Sequence, residues 1–212
     1  MRNLIEFRDV TKVMKDRMVL DHISYSFQEG TVYGIHGVNG SGKTMLLRMA
    51  AGLIKPTEGA VYYNGKKLHE EISFPENTGI VIENMQLLPE YTAFENLKLL
   101  AKIKNKARDE DIKDALRRVG LDEYPDLKVK KYSLGMRQRL NIAQAFFEKQ
   151  NVILLDEPTN ALDEEGVQDI YQVIHEEKER GAIIIIATHH MDDLKVMSDV
   201  TLKMSHGKLT AD

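Results

Sequence analysis

The order of apolar and polar residues along the chain predicts strands that alternate with helices. Residues 4–10 and 23–27 show short alternations of apolar and polar side chains, which are typical of half-buried strands. Residues 43–51 repeat apolar side chains at helical spacing, and Gly52 ends this predicted helix. Further strands are predicted at 31–36, 60–63, 78–83, 152–156, 182–187, 200–204 and 208–210, and further helices at 93–104, 109–119, 133–147, 164–180 and 191–196.

The alternation indicates an α/β fold with a mostly parallel sheet covered on both faces. An all-helical stretch at about 84–150 interrupts it, with Thr92 and Ser133 as predicted helix N-caps. We therefore expect one domain over 1–212, whose core comprises 1–83 and 151–212 and whose helical subdomain is inserted between them.

Composition narrows the function classes. The chain has 212 residues, of which 42% are hydrophobic and 29% charged, so it can form a substantial core, and the average charged fraction disfavours disorder. A net charge of −4 shows no basic excess, and we expect no nucleic-acid partner. There is no cysteine for a disulfide, thiolate metal site or thiol nucleophile, in agreement with a reducing cytoplasm. No apolar run approaches the ~20 residues of a membrane span, and the N-terminus lacks the apolar segment of a signal peptide. We expect a soluble chain whose membrane role, if any, depends on a partner.

A phosphate-binding loop follows the strand predicted at 31–36. The pattern G-x-x-x-x-G-K-(S/T) is formed by Gly37, Val38, Asn39, Gly40, Ser41, Gly42, Lys43 and Thr44. Glycines let backbone N–H groups approach phosphate oxygens, and the helix that follows adds its positive N-terminal end. Lys43 can reach the β- and γ-phosphates, and the Thr44 hydroxyl can ligate Mg²⁺. The position between a predicted strand and a predicted helix favours nucleotide binding over a chance match.

Two carboxylates end the apolar strand predicted at 152–156. Asp156 can hold Mg²⁺ through its water shell, and Glu157 can polarise a water for attack on the γ-phosphate. Alone, this pair would be typical of a solvated turn. Together with the phosphate loop, it predicts the acidic half of a nucleotide-hydrolysis site.

These motifs and three further segments resemble the nucleotide-binding subunits of ABC transporters. Residues 132–139, YSLGMRQR, resemble the family's LSGGQ signature with its following Q-R pair. Residues 160–163, NALD, match the D-loop, and Thr188-His189 matches the switch histidine after the last long strand. The five motifs occur in the family's order, and the resemblance covers nearly the whole chain.

The resemblance implies the ABC type of P-loop NTPase fold, with a mostly parallel sheet, an N-terminal antiparallel β portion and an inserted α-helical subdomain. It also implies that two chains sandwich two ATP molecules with Mg²⁺, each between the phosphate loop of one chain and the signature of the other. The implied catalytic residues are Lys43, Glu157 and His189. The implied metal ligands are Thr44, Asp156 and Glu83. Outside the phosphate loop, the implied nucleotide contacts are Met14, Ser133, Gly135 and Asp163. His190 is interpreted as an exposed histidine at a turn.

The sequence departs from the family pattern at three places. In the signature, Leu134 replaces a glycine and Met136 the glutamine, whereas Ser133 and Gly135 are retained. Met14 stands where family members place an aromatic residue against the adenine, so we expect weak selection among purine bases. A methionine that only covers the core is the alternative.

The third departure concerns the glutamine that usually joins the sheet to the helical subdomain. Glu83 occupies this position, and Gln86 could serve only if the loop slipped by three residues. A glutamate there resembles the branch of ABC exporters that expel, or confer immunity to, peptide antibiotics such as lantibiotics and bacitracin. A carboxylate would bind Mg²⁺ more strongly than an amide, or would repel the γ-phosphate until the ion is bound. The alternative is a loop residue that only contacts the permease.

We expect, from this resemblance, an ATP-hydrolysing subunit of an exporter. Its partners would be a transmembrane permease and a second nucleotide-binding subunit, identical or not. It would lie in the cytoplasm on the inner face of the cell membrane, held there through the permease. The alternatives are a soluble ABC ATPase in assembly or regulation without a membrane partner, and a degenerate module that does not hydrolyse ATP. Nucleic-acid machinery of the translation or DNA-repair type fits worse, because its second nucleotide domain or long coiled coil would not fit in 212 residues.

Overall fold

The computed structural model describes residues 4–82 and 86–211. The strands are β1 (Leu4–Met14), β2 (Arg17–Gln28), β3 (Thr31–His36), β4 (Glu58–Tyr63), β5 (Lys66–Lys67), β6 (Thr78–Val81), β7 (Val152–Asp156), β8 (Ile183–Thr188), β9 (Val200–Ser205) and β10 (Lys208–Ala211). The helices are α1 (Lys43–Ala50), α2 (Ala93–Lys104), α3 (Asp109–Arg118), α4 (Leu134–Phe146), α5 (Glu164–Glu179) and α6 (Met191–Met197), with a 3-10 turn at Val129–Lys131.

The strands form two sheets, and this confirms the predicted fold class. The larger sheet has the order β10-β9-β3-β8-β7-β6, in which only the terminal strand β10 runs antiparallel to its neighbour. The smaller sheet, β2-β1-β4-β5, is antiparallel throughout and contains the N-terminal strands. A mostly parallel sheet with an N-terminal antiparallel portion is therefore present.

The β1–β2 hairpin is longer than the predicted strands at 4–10 and 23–27. Its two-residue turn places Lys15 and Asp16 at φ of 47° and 62°, the left-handed conformation of tight hairpins. The register shifts three times between Phe7 and Val13. The first shift adds a residue on β1 and the other two add one on β2. Each moves the later side chains of that strand to its other face, so the alternation of apolar residues is lost although the pairing continues.

The hydrophobic core lies on both faces of the larger sheet. In β8, Ile184 and Ile186 pack with α2 to α5 on one face, whereas Ile183 and Ile185 pack with α1 and the smaller sheet on the other. Strands buried on both faces explain the continuous apolar runs at 152–155 and 182–187.

The carboxyl ends of three neighbouring parallel strands meet at one edge of the larger sheet. His36 at the end of β3 pairs with Thr188 at the end of β8, and Asp156 at the end of β7 pairs with Ala187. Ligands of open α/β sheets bind beyond this edge. The fold therefore brings the phosphate loop, the acidic pair and the switch-histidine segment together.

Three helices, α2 to α4, lie between β6 and β7 in the chain. Thr92 caps α2 in a capping box with Glu95, and Ser133 caps α4 by accepting from the N–H of Met136. Both predicted caps are confirmed. Within residues 4–82 and 86–211, no helix is both long enough and apolar enough to span a lipid bilayer.

Candidate active site

The loop between β3 and α1 requires glycine at two positions. A Cβ atom on Gly37 would lie 2.2 Å from the carbonyl oxygen of Met204. Gly42 has a φ of 116°, and a Cβ atom there would lie 2.7 Å from the carbonyl oxygen of Val19. The loop and the first turn of α1 line a cavity of about 470 Å³. A helix N-terminus that opens into such a cavity favours an anionic ligand.

Two side chains of this loop fit a phosphate group. Lys43 is buried, and its Nζ donates to the carbonyl oxygens of Gly37 at 2.6 Å and Val38 at 3.4 Å. The Ser41 hydroxyl is also buried and has no hydrogen-bond partner among the described residues. A phosphate oxygen would give the ammonium an anionic partner and the hydroxyl an acceptor. The donor set therefore matches the predicted nucleotide.

Thr44 and Asp156 form the candidate metal site. The Thr44 hydroxyl, one residue into α1, donates to Oδ2 of Asp156 at 2.5 Å. Asp156 ends β7 and is only 6% exposed. Hydroxyl and carboxylate oxygens are the hard ligands that Mg²⁺ prefers, and both face the phosphate-loop cavity. These residues would hold Mg²⁺ beside the phosphates.

Glu157 is held on both its backbone and its carboxylate. Its φ of 50° is a left-handed conformation, which costs a non-glycine residue about 1–3 kcal/mol. Its N–H donates to the carbonyl oxygen of Ala187 at 2.7 Å. Its carboxylate accepts from the Thr188 hydroxyl at 2.7 Å and from the N–H of His189 at 3.1 Å, and it lies 2.8 Å from Nδ1 of His189. The structure thus brings the predicted base and the switch histidine into direct contact at the cavity.

A carboxylate of α6 supports the turn that follows Glu157. Oδ2 of Asp193 accepts from the Thr159 hydroxyl at 2.5 Å, and Oδ1 accepts from the Tyr171 hydroxyl at 3.2 Å. Burial, with the nearby charge of Asp193, raises the pKa of Tyr171 to about 12, so the phenol stays a hydrogen-bond donor at neutral pH. The turn after β7 is therefore connected to the helix after the switch histidine.

The signature residues line a second cavity, of about 740 Å³, apart from the phosphate loop. Ser133 and Gly135 lie there at the start of α4, together with Asp163. A Cβ atom on Gly135 would lie 2.9 Å from the carbonyl oxygen of Ala161, which explains why glycine is needed there. The Gly166 N–H and then Arg139 hold the pKa of Asp163 below its usual range. Within one chain, the signature and D-loop residues share a site that the phosphate loop does not line.

Two residues after the signature make contacts that sequence reasoning missed. Gln138 donates to the carbonyl oxygens of Glu157 and Pro158. Arg139 donates to Val119 and forms ion pairs with Asp163 and Asp169; these partners lie 20 to 30 residues away in sequence. The only signal was the Q-R pair in the resemblance, which does not reveal what the pair contacts.

Two predicted contacts at the edges of the site stay predictions. Met14 ends β1 and is 42% exposed, but the residues of this hairpin that line the phosphate-loop cavity are Arg17 and Val19. Glu83 lies outside the described residues, whereas Gln86 is exposed in the loop before α2.

Comparisons with known proteins give relatives and structural neighbours of one family. Residues 20–160 match the family model described as ABC transporter. The chain is 56% identical over 206 residues to the uncharacterized ABC transporter ATP-binding protein YybJ of Bacillus subtilis (strain 168), covering 97% of this chain and 94% of the relative. It is 35% identical to the bacitracin transport ATP-binding protein BcrA of Bacillus licheniformis, covering 99% and 69%. Among solved structures, the dimeric bacterial ABC transporter cassette MJ0796 superposes with a TM-score of 0.86 at 26% identity, covering 98% of both chains. A post-hydrolysis state of that cassette, with ADP and phosphate, superposes with a TM-score of 0.84 at 25% identity and the same coverage.

Proposed function

Because the chain belongs to the ABC transporter family of ATP-binding proteins, we propose that it hydrolyses ATP to drive a separate transmembrane permease, as one subunit of an exporter. The observation that carries hydrolysis is the placement of Glu157. Its carboxylate lies against Thr188 and His189 and beside the cavity that the phosphate loop lines.

The chemistry assigned to the site is positioning and charge neutralisation rather than covalent catalysis. Lys43 and the loop N–H groups would bind the β- and γ-phosphates, and Thr44 and Asp156 would hold Mg²⁺. Bound Mg²⁺ would supply further positive charge against the phosphate oxygens. Glu157 would accept the proton of the attacking water, and His189 would orient Glu157 through their 2.8 Å contact.

A second nucleotide-binding subunit would complete the site. Ser133 and Gly135 lie in a cavity that the phosphate loop of the same chain does not line, so a signature could meet a bound γ-phosphate only across a chain interface. The MJ0796 cassette is dimeric, which supports the pairing of two such chains here.

An exposed apolar groove supports the proposed permease contact. Leu53 and Phe74 are 49% and 57% exposed, and they line a groove of about 660 Å³ that reaches Lys104 at the end of α2. Contiguous exposed apolar groups mark protein–protein contacts. Since the groove spans the core and the inserted helices, a permease segment there would respond to movement between them. Through it the chain would lie at the inner face of the membrane.

We propose antimicrobial peptides as the exported cargo, and the 35% identity to the bacitracin transport protein supports this. The proposed role of Glu83 in hydrolysis follows from the same resemblance to exporters of peptide antibiotics. Glu83→Gln should leave folding and ATP binding intact but change hydrolysis or its coupling to export. If both hydrolysis and export stay at the wild-type rate, the special role of this glutamate is excluded.

ATP hydrolysis is tested with three variants. Glu157→Gln keeps the size of the side chain but removes the base, so we expect ATP binding with a turnover at least 100-fold lower. Lys43→Ala should lose ATP binding. Glu179→Gln makes the same chemical change on an exposed part of α5 and should keep wild-type turnover. Wild-type activity in Glu157→Gln would refute the proposed mechanism.

The dimer and the permease are tested separately. With ATP and Mg²⁺, Glu157→Gln should elute as a dimer in size-exclusion chromatography, because the two chains do not separate while ATP stays unhydrolysed. Affinity purification from membranes should recover a polytopic protein, and Leu53→Glu with Phe74→Glu should lose it while keeping ATP binding. Recovery of the chain without any membrane protein would favour the soluble alternative.

A further inference from the structure

The side chain of Gln138 crosses from α4 to the turn after β7. Its Nε2 donates to the carbonyl oxygen of Glu157 at 3.2 Å and to that of Pro158 at 3.1 Å. Both acceptors are carbonyls, so the amide must present its NH₂ group to the turn. The side chain is half-buried, and Pro158 is buried. No other donor to the Pro158 carbonyl lies in the part of the chain that the structure describes.

The peptide that Gln138 contacts has an unfavourable backbone conformation. Glu157 has a φ of 50°, although it carries a side chain. Its N–H is fixed by the carbonyl of Ala187, and its carbonyl accepts from Asn160 within the turn at 3.2 Å. Among the residues that the structure describes, the hydrogen bonds that connect this turn to the signature helix α4 are the two from Gln138. The direction in which the Glu157 carboxylate leaves the strand depends on this conformation.

We propose that Gln138 is a positioning residue for hydrolysis: it holds the left-handed turn at Glu157 and so sets the carboxylate against Thr188 and His189. Gln138 is not among the residues that line the phosphate-loop cavity, and it would act on hydrolysis through the turn at Glu157. The proposal rests on the proposed function of Glu157 as the general base. The same contact would connect the signature helix α4 to the general base Glu157 of the same chain, since Gln138 lies five residues after Ser133.

The first experiment separates turnover from binding. Gln138→Leu removes both donors at similar volume, and a carboxylate displaced by about 1 Å should lower kcat about 10- to 100-fold. The Kd for ATP should change less than twofold, because the phosphate loop is untouched. Gln144→Leu makes the same change on α4, where the side-chain amide donates to Asn141 at 3.4 Å, and should keep wild-type kcat. Gln138→Asn is a smaller change whose shorter side chain cannot reach both carbonyls, and it tests the idea if Gln138→Leu does not fold.

The second experiment asks whether Gln138 acts through Glu157. In single-turnover assays, adding Gln138→Leu to Glu157→Gln should not lower the residual rate further, since the base it positions is already gone. A further tenfold loss in the double variant would show a general structural role and overturn the proposal. So would a kcat of Gln138→Leu and Gln138→Asn within twofold of wild type. If instead the proposed role of Glu157 as the base were wrong, Glu157→Gln itself would stay active, and this separates the two failures.

Discussion

Replacing Arg139 by methionine tests how strongly the signature helix is bound to the rest of the chain. The guanidinium is largely buried and donates to the carbonyl of Val119 at 3.0 Å and to Oδ2 of Asp169 at 2.7 Å, with a longer contact of 3.2 Å to Asp163. These partners lie after α3 and along the start of α5. Methionine keeps most of the aliphatic volume but removes every donor.

The expected loss of stability follows from the burial of each partner. Val119 is completely buried, so its carbonyl would lose a hydrogen bond that water cannot replace, which costs about 1–1.5 kcal/mol. The Asp169 side chain is 35% exposed, and its ion pair contributes only about 0.5–1 kcal/mol after solvent screening. The ion pair between Arg139 and Asp163 is too exposed to add measurably to this loss. The free energy of unfolding should therefore fall by about 2 kcal/mol, and Tm by roughly 4–8 °C for a chain of this size.

Thermal unfolding followed by circular dichroism measures this shift. Arg137→Met, on the exposed side of the same helix, removes only a 3.4 Å contact to the Lys130 carbonyl and should lower Tm by less than about 2 °C. If Arg139→Met and Arg137→Met unfold at the same temperature, the buried network does not anchor α4 and the reasoning is refuted.

Three further predictions concern packing and acid stability. Gly79→Ala would place a Cβ atom 1.9 Å from the carbonyl oxygen of Ala145, so we expect a loss of about 3 kcal/mol; a Tm within 2 °C of wild type would contradict this close approach. Phe146→Ala removes a ring that is 2% exposed and should cost about 3–5 kcal/mol in urea unfolding; a loss below 1 kcal/mol would show that the core closes over the cavity. The pKa of Asp163 is lowered, first by the hydrogen bond from the N–H of Gly166, so this carboxylate contributes stability above pH about 4 that is lost as the pH falls through the folded-state pKa. Asp163→Asn should therefore flatten the fall in Tm below pH 4. An unchanged slope of Tm against pH would refute the assignment.

Local patterns were sufficient to predict the element types and to place the phosphate loop and the acidic pair at the ends of strands. Thr92 and Ser133 could be identified as caps because a capping residue acts within one turn of its own helix. The phosphate loop and the acidic pair could be placed because each directly follows a buried strand. Their proximity then follows from parallel strands, whose carboxyl ends share one edge of the sheet.

Long-range contacts and irregular pairing could not be predicted. The bulges of the β1–β2 hairpin hide its pairing, because the apolar side chains change faces within a strand. The two-residue strand β5 is too short to leave a pattern. The contact of Gln138 with Glu157 depends on a left-handed turn 19 residues away, and nothing near either residue indicates that conformation.

The alternation of β7 has a consequence for how this chain can change in length. Val152 and Leu154 face α1, Ile153 and Leu155 face the opposite side, and Asp156 continues the first series to reach Thr44. Exchange of one apolar residue for another leaves this parity intact. Insertion or deletion of a single residue in the strand would turn Asp156 to the wrong face. Among descendants of this sequence, β7 should therefore vary in composition but keep a constant count of residues, whereas exposed turns such as the one at Gly65 can lengthen freely.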